Sequence, residues 1–214
     1  MPMSKSETLL SLLDGQKVIP VLQITEVSHA VPLARALVRG GLPMIEITLR
    51  TAGALEAITR VAAEVKEAIV GAGTILDARQ FDEAARAGSK FIVSPGVTPG
   101  LLAAAKDSAV PLLPGAITPA EIMLAREAGL TFLKFFPAEQ AGGLAFLKAL
   151  ASPFGDIRFC PTGGVNVRNA GDYLALPNVA CVGGSWIAPH DLVEAGRWDT
   201  IEMLAREASA LAKG

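Results

Sequence analysis

Phe132-Leu133-Lys134-Phe135-Phe136-Pro137 is short, apolar on both alternating faces and closed by a proline, which reads as a strand covered on both sides. Strands of that kind belong to parallel sheets, where helices cover the faces. Seven further runs share the pattern, at 18–24, 44–49, 68–73, 91–95, 111–115, 158–163 and 179–184. The starts of the eight runs lie 20 to 26 residues apart. Between them lie mostly helical patterns rich in Ala, Leu, Glu and Arg, among them 30–39, 54–66, 78–87, 101–107 and 120–128. Gly40, Gly88 and Gly129 mark helix ends, and Ser28, Asp77, Thr98 and Thr118 are candidate N-caps. Eight alternating units predict a (β/α)8 TIM barrel with an N-terminal helix over 1–14. A last helix over 200–213 is expected to pack across the barrel. No Ser- or Pro-rich linker divides the chain, so residues 1–214 are expected to form a single barrel domain. An open doubly wound sheet is the alternative, but the first run is not followed by a Gly-rich dinucleotide turn.

The composition narrows the function. The chain is 51% hydrophobic and 5% aromatic, with a net charge of -2 and no basic stripe, so nucleic acid is not an expected partner. Cys160 and Cys181 both lie in apolar runs and are expected as reduced core thiols. Residues 1–14 lack the features of a signal peptide, and no run has the length of a membrane span. The cytoplasm is the expected compartment.

Two charges stand out against this apolar background. Of eight lysines, Lys134 alone lies inside a buried-strand run, and Glu46 in Met44-Ile45-Glu46-Ile47-Thr48-Leu49 is the one carboxylate in such a run. Burying an ammonium is costly, which favours a neutral, nucleophilic amine able to form Schiff bases with carbonyl substrates. Alternation puts Glu46, Thr48 and Arg50 on one strand face, and Lys134 with Phe132 and Phe136 on another. A polar side chain in a barrel strand must point to the interior or its mouth. From the second and sixth runs, Glu46 and Lys134 could therefore meet near the axis. Stability alone accounts poorly for a buried Glu–Lys pair, because desolvation offsets the Coulomb gain. The pair is the minimum equipment of imine-forming (class I) aldolase chemistry.

The remaining candidates sit at run ends, where such barrels collect their active sites. Arg50 could grip a carboxylate, and Thr74 could bind the same group or cap the next helix. Thr162-Gly163-Gly164 and Gly183-Gly184-Ser185 follow the seventh and eighth runs, the usual place for phosphate. His29 and His190 read as surface or capping residues, and Glu139 as a helix-start acid. No metal cluster or cofactor motif is evident. Two other functions use the same barrel. One is an isomerase or epimerase with Glu46 as base and no imine; the other is a non-catalytic sugar-phosphate-binding barrel.

Gly71-Ala72-Gly73-Thr74, Ser94-Pro95-Gly96, residues 132–138 and 159–165, Glu46-Ile47-Thr48-Leu49-Arg50-Thr51 and Gly183-Gly184-Ser185-Trp186 resemble the bacterial 2-keto-3-deoxy-6-phosphogluconate and 4-hydroxy-2-oxoglutarate aldolase family. The resemblance runs from about residue 18 to the last helix. It implies a metal-free and cofactor-free lyase of the Entner–Doudoroff pathway, a homotrimer in the cytoplasm. The implied reactions are cleavage of the phosphorylated sugar acid to pyruvate and D-glyceraldehyde 3-phosphate, and of 4-hydroxy-2-oxoglutarate to pyruvate and glyoxylate. By position it makes Lys134 the Schiff-base lysine and Glu46 the proton shuttle. Arg50 and Thr74 would hold the carboxylate, and Phe136 would pack near the imine. Thr162, Gly163, Gly164, Gly184 and Ser185 would line the hydroxyl and phosphate end. Many relatives carry a first-strand arginine near the position of Gln23; here that side chain is neutral, which bears on phosphate preference.

Overall fold

The computed structural model describes residues 3–211. Its eight strands are β1 (Val18–Leu22), β2 (Met44–Thr48), β3 (Ile69–Gly73), β4 (Ile92–Val93), β5 (Leu112–Leu113), β6 (Phe132–Phe135), β7 (Arg158–Pro161) and β8 (Val182–Gly184). Six pair in parallel in the order β5-β4-β3-β2-β1-β8, and β6 pairs with β7. Parallel bridges close the two remaining seams: Gly115 with Lys134 between β5 and β6, and Phe159 with Val179 and Thr162 with Gly183 between β7 and β8. The expected (β/α)8 ring is present, held at two seams by isolated bridges. Proline explains the shortness of β5, since Pro111 and Pro114 flank it and neither can donate to a ladder.

The helices are α1 (Lys5–Leu13), α2 (Ala30–Arg39), α3 (Ala54–Glu64), α4 (Ala78–Arg86), α5 (Pro99–Asp107), α6 (Pro119–Glu127), α7 (Gly143–Ala151), α8 (Ala170–Leu174), α9 (His190–Glu194) and α10 (Trp198–Ala210). Asp77, Thr98 and Thr118 cap α4, α5 and α6 through their side chains. Ser28 does not cap α2. It lies inside a 3₁₀ turn, Val27–His29, and α2 has no side-chain cap. Gly88 and Gly129 take left-handed conformations just past α4 and α6, whereas Gly40 stays right-handed and Gly41 makes the left-handed turn.

The core has two layers. The outer one lies between sheet and helices. The inner one fills the barrel: Ile19, Met44, Phe91, Val93, Leu113, Phe132, Cys160 and Cys181 pack with Leu9 and Leu13 of α1. Helix α1 therefore plugs the amino-terminal end of the barrel. Its Ser6 hydroxyl accepts the backbone N–H groups of Thr131 and Phe132 at 2.8 and 3.3 Å, fixing the helix to the start of β6. Leu9 is fully buried, which stabilises the plug by roughly 2 kcal/mol. Cys160 and Cys181 are buried free thiols.

The last helix does not cross the barrel. α10 lies along α2: Arg39 meets Glu202 at 2.6 Å, and a Cβ at Gly40 would collide with Ala205. The eighth unit offers only the five-residue α9, and α10 packs against α2 and α9. The end of the expected 200–213 helix lies outside the described residues. Among the described residues no helix is long and apolar enough to cross a membrane.

Candidate active site

The parity expected for β2 and β6 holds. Met44 and Phe132 enter the inner core, so the alternating residues Glu46 and Lys134 also face the interior, nearer the carboxyl ends of their strands. Lys134 Nζ lies 3.4 Å from Glu46 Oε1, and only 7% and 5% of the two side chains is exposed. The pair is thus almost dry, and removing either charge would strand the other. Two neighbours shape it. Lys134 Nζ lies over the Phe136 ring, 5.3 Å from its centroid. Gly73 on β3 leaves the space Glu46 occupies, and any Cβ there would strike the carboxylate.

A cavity of about 490 Å³ opens at the carboxyl ends of β1, β2, β7 and β8; Lys134, Glu46 and Thr74 are not in its lining, and Phe136 and Thr48 stand between it and the pair. Phe136, Thr48 and Arg50 line it on one side, Thr162, Gly163, Gly164, Gly184 and Ser185 on another. Phe136 connects the two zones, since its ring lines the cavity and stacks on the amine. Thr48 donates its hydroxyl to Leu22 O at 2.9 Å, tying β2 to β1 at the cavity floor. Gln23 lines the same wall.

Arg50 and Thr74 come together: the Arg50 Nε–H donates to Thr74 Oγ1 at 3.2 Å. Thr74 has φ of 60°, a left-handed conformation that is costly for a β-branched residue. The strain turns its hydroxyl toward the arginine instead of letting it cap the following helix, whose cap is Asp77. Guanidinium and hydroxyl thus stand together at the β2–β3 edge, the donor set that a carboxylate would need.

The glycine pairs form the opposite edge. Gly163 and Gly164 have φ of 97° and 79°, and a Cβ at Gly164 would collide with Glu139. Gly163 O accepts from Glu139 N at 3.1 Å, while Gly164 O accepts from Asn166 Nδ2 and Asn169 Nδ2 at 3.0 and 3.2 Å. The carbonyls are thereby held back from the cavity. The N–H groups of Gly163, Gly164 and Ser185 find no acceptor among the described residues, the arrangement of an anion cradle. Gly183, which also lines the cavity, has no side chain because Thr162 fills that space.

Glu139 is not a helix-start acid. It sits in the turn before α7 and accepts a short hydrogen bond from the hydroxyl of Tyr173. Burial first, and then the Glu139 hydrogen bond and charge, push the Tyr173 phenol well above its ordinary range. It therefore stays a donor and pins Glu139 under the glycine loop. Sequence reasoning also missed His190. It heads α9 and lines the cavity, and its place six residues past Gly184, in the loop assigned to phosphate, was the available signal. His29 packs edge-on against Trp198, away from the cavity-lining set. Among the described residues no three His, Cys, Asp or Glu side chains gather to hold a metal ion.

Comparison with known proteins finds relatives over nearly the whole chain. The family model for KDPG and KHG aldolase matches residues 10–204. The 2-dehydro-3-deoxy-phosphogluconate aldolase of Dickeya dadantii is 52% identical over 199 residues, covering 93% of each chain. The structure of a KDPG aldolase from Legionella pneumophila, with pyruvate captured at low pH as a covalent carbinolamine intermediate, superposes with a TM-score of 0.92. It shares 40% identity over 97% of this chain and 98% of that one. The 2-keto-3-deoxy-6-phosphogluconate aldolase of Zymomonas mobilis ZM4, solved with 3-phosphoglycerate, superposes at 0.88 with 46% identity over 94% and 95% of the two chains.

Proposed function

The chain belongs to the KDPG and KHG aldolase family, and from that premise we propose how its barrel performs class I aldol cleavage. The protein is a lyase that forms a Schiff base with its substrate. It splits 2-keto-3-deoxy-6-phosphogluconate into pyruvate and D-glyceraldehyde 3-phosphate, and 4-hydroxy-2-oxoglutarate into pyruvate and glyoxylate. The observation that carries the assignment of residues is the dry contact of Lys134 Nζ with Glu46 Oε1 beneath the cavity.

The steps follow from the positions of these groups. Lys134, with its proton passed to Glu46, attacks the C2 ketone and forms a carbinolamine. Glu46 returns a proton to the departing hydroxyl, water leaves, and a cationic imine remains. Arg50 and Thr74 hold the adjoining carboxylate, which sets the C2 carbon over Nζ. Loss of the C4 hydroxyl proton to a base lets the C3–C4 electron pair flow into the imine. The aldehyde departs and an enamine is left. Glu46, directly or through water, supplies the proton that C3 takes up. Hydrolysis of the new imine releases pyruvate and restores the amine. Phe136 shields the imine from bulk water, while Thr162, the Gly184 backbone and the N–H groups of Gly163, Gly164 and Ser185 line and hold the hydroxyl and phosphate end.

We further propose that residues 1–214 work as one barrel domain, that three copies assemble into a homotrimer, and that the enzyme acts in the cytoplasm. The buried reduced thiols support the last point. The assay follows pyruvate release from each substrate through a coupled dehydrogenase. Release from both is the expected result. Turnover of neither, by a protein that is folded by circular dichroism, would contradict the assignment.

A further inference from the structure

We propose that His190 is the counter-charge for the substrate's distal phosphate, a specificity-determining residue for phosphorylated over unphosphorylated substrates. The inference rests on the aldolase reading above and goes beyond it. Of the side chains that line the cavity, only Arg50 and His190 can carry positive charge. Arg50 is bonded to Thr74 at the β2–β3 edge and serves the carboxylate. Gln23, just past β1 and between the two edges, is neutral. The glycine edge therefore offers a dianion only N–H and hydroxyl dipoles, unless His190 joins them. His190 lines the cavity from the start of α9, and its side chain is 70% exposed.

The groups around His190 fit this role. Glu194, one turn along α9, has Oε1 4.0 Å from His190 Nδ1, too far for a hydrogen bond. Glu194 is already engaged: it accepts the Thr25 hydroxyl at 2.7 Å and lies 3.9 Å from Nδ1 of His29. Arg50 lines the same cavity. Among the described residues no carboxylate is hydrogen-bonded to His190, and its ring nitrogens remain available to phosphate. A ring N–H donated to a phosphate oxygen is a charge-assisted hydrogen bond, roughly twice as strong as one between neutral groups.

The experiment compares kcat/KM for 2-keto-3-deoxy-6-phosphogluconate with that for 4-hydroxy-2-oxoglutarate in the wild type, His190→Ala and His190→Lys at one fixed pH. The ratio of the two constants should fall about tenfold in His190→Ala, through KM. His190→Lys, which keeps a donor at that position, should restore the ratio. An unchanged ratio in His190→Ala, or a lysine variant that behaves like the alanine one, would overturn the proposal. Calorimetry with D-glyceraldehyde 3-phosphate separates it from the aldolase reading. Weaker binding by His190→Ala supports the phosphate contact even where no imine forms, and equal binding contradicts it even where cleavage is intact.

Discussion

The proposed mechanism gives Lys134 and Glu46 different jobs, and single substitutions should separate them. Glu46→Gln keeps the shape of the pair but cannot take up a proton. Turnover should fall by about a hundredfold or more, the usual worth of a positioned acid–base group, while the pyruvate imine stays trappable. Unchanged turnover would remove Glu46 from the mechanism. Gly73→Ala tests position instead of chemistry. The added methyl must displace the Glu46 carboxylate, so kcat should drop with little change in KM, and a wild-type kcat would show that the exact seat of Glu46 is unimportant. Both charged residues were legible in the sequence, because burying a lysine and a glutamate inside apolar strands costs stability that only chemistry repays. Arg50 and Thr74 were legible as strand-end residues, but not the left-handed backbone that turns Thr74 toward the arginine. Glu139 was misjudged because it lies in a connection whose path depends on tertiary contacts with the glycine loop. His190 is exposed as the sequence suggested, but the β8–α9 turn that brings it to the cavity could not be read from local pattern.

Helix caps show how far local chemistry determines the elements. Thr118 and Glu121 form a reciprocal capping box at the start of α6. Partial burial works against the Glu121 charge. Hydrogen bonds from the N–H groups of Thr118 and Ile117 and from the Thr118 hydroxyl outweigh it and hold the carboxyl below its usual value. A carboxyl lowered in the folded state stabilises above its unfolded value, and that contribution disappears as pH falls through the folded one. Glu121→Ala should therefore lower stability in urea by about 0.5 kcal/mol at neutral pH, the group being largely solvent-screened. The difference should vanish in acid below the ordinary carboxylate range; a difference independent of pH would mean that the capping charge is not its source. Asp77, Thr98 and Thr118 were readable as caps because each is followed by an uninterrupted helical pattern. Ser28 failed because Val27–His29 turns as a 3₁₀ segment, which moves the start of α2 beyond it. The strands were legible by their spacing, while the brevity of β5 comes from flanking prolines that a hydrophobic pattern alone does not weigh.

At the scale of the molecule, the barrel separates stability from chemistry. Helix α1 and the inner apolar layer seal the amino-terminal end, and polar groups gather at the other. The eightfold rhythm of the sequence was sufficient for this architecture. It did not place α10, because the docking of that helix along α2 is set by tertiary contacts between elements far apart in the chain. The proposed trimer is tested by sedimentation: a species of three times the chain mass at micromolar concentration is expected, and a monomer at all concentrations would refute it. The central claim is that Lys134 bonds covalently to a keto acid, which also separates this enzyme from an isomerase or a binding protein built on the same barrel. The most direct test is borohydride reduction in the presence of pyruvate, followed by peptide mass mapping. A reduced pyruvyl adduct on Lys134, absent from Lys134→Ala, is the predicted result. No adduct in a protein shown to bind pyruvate, or an adduct on another lysine, would contradict it.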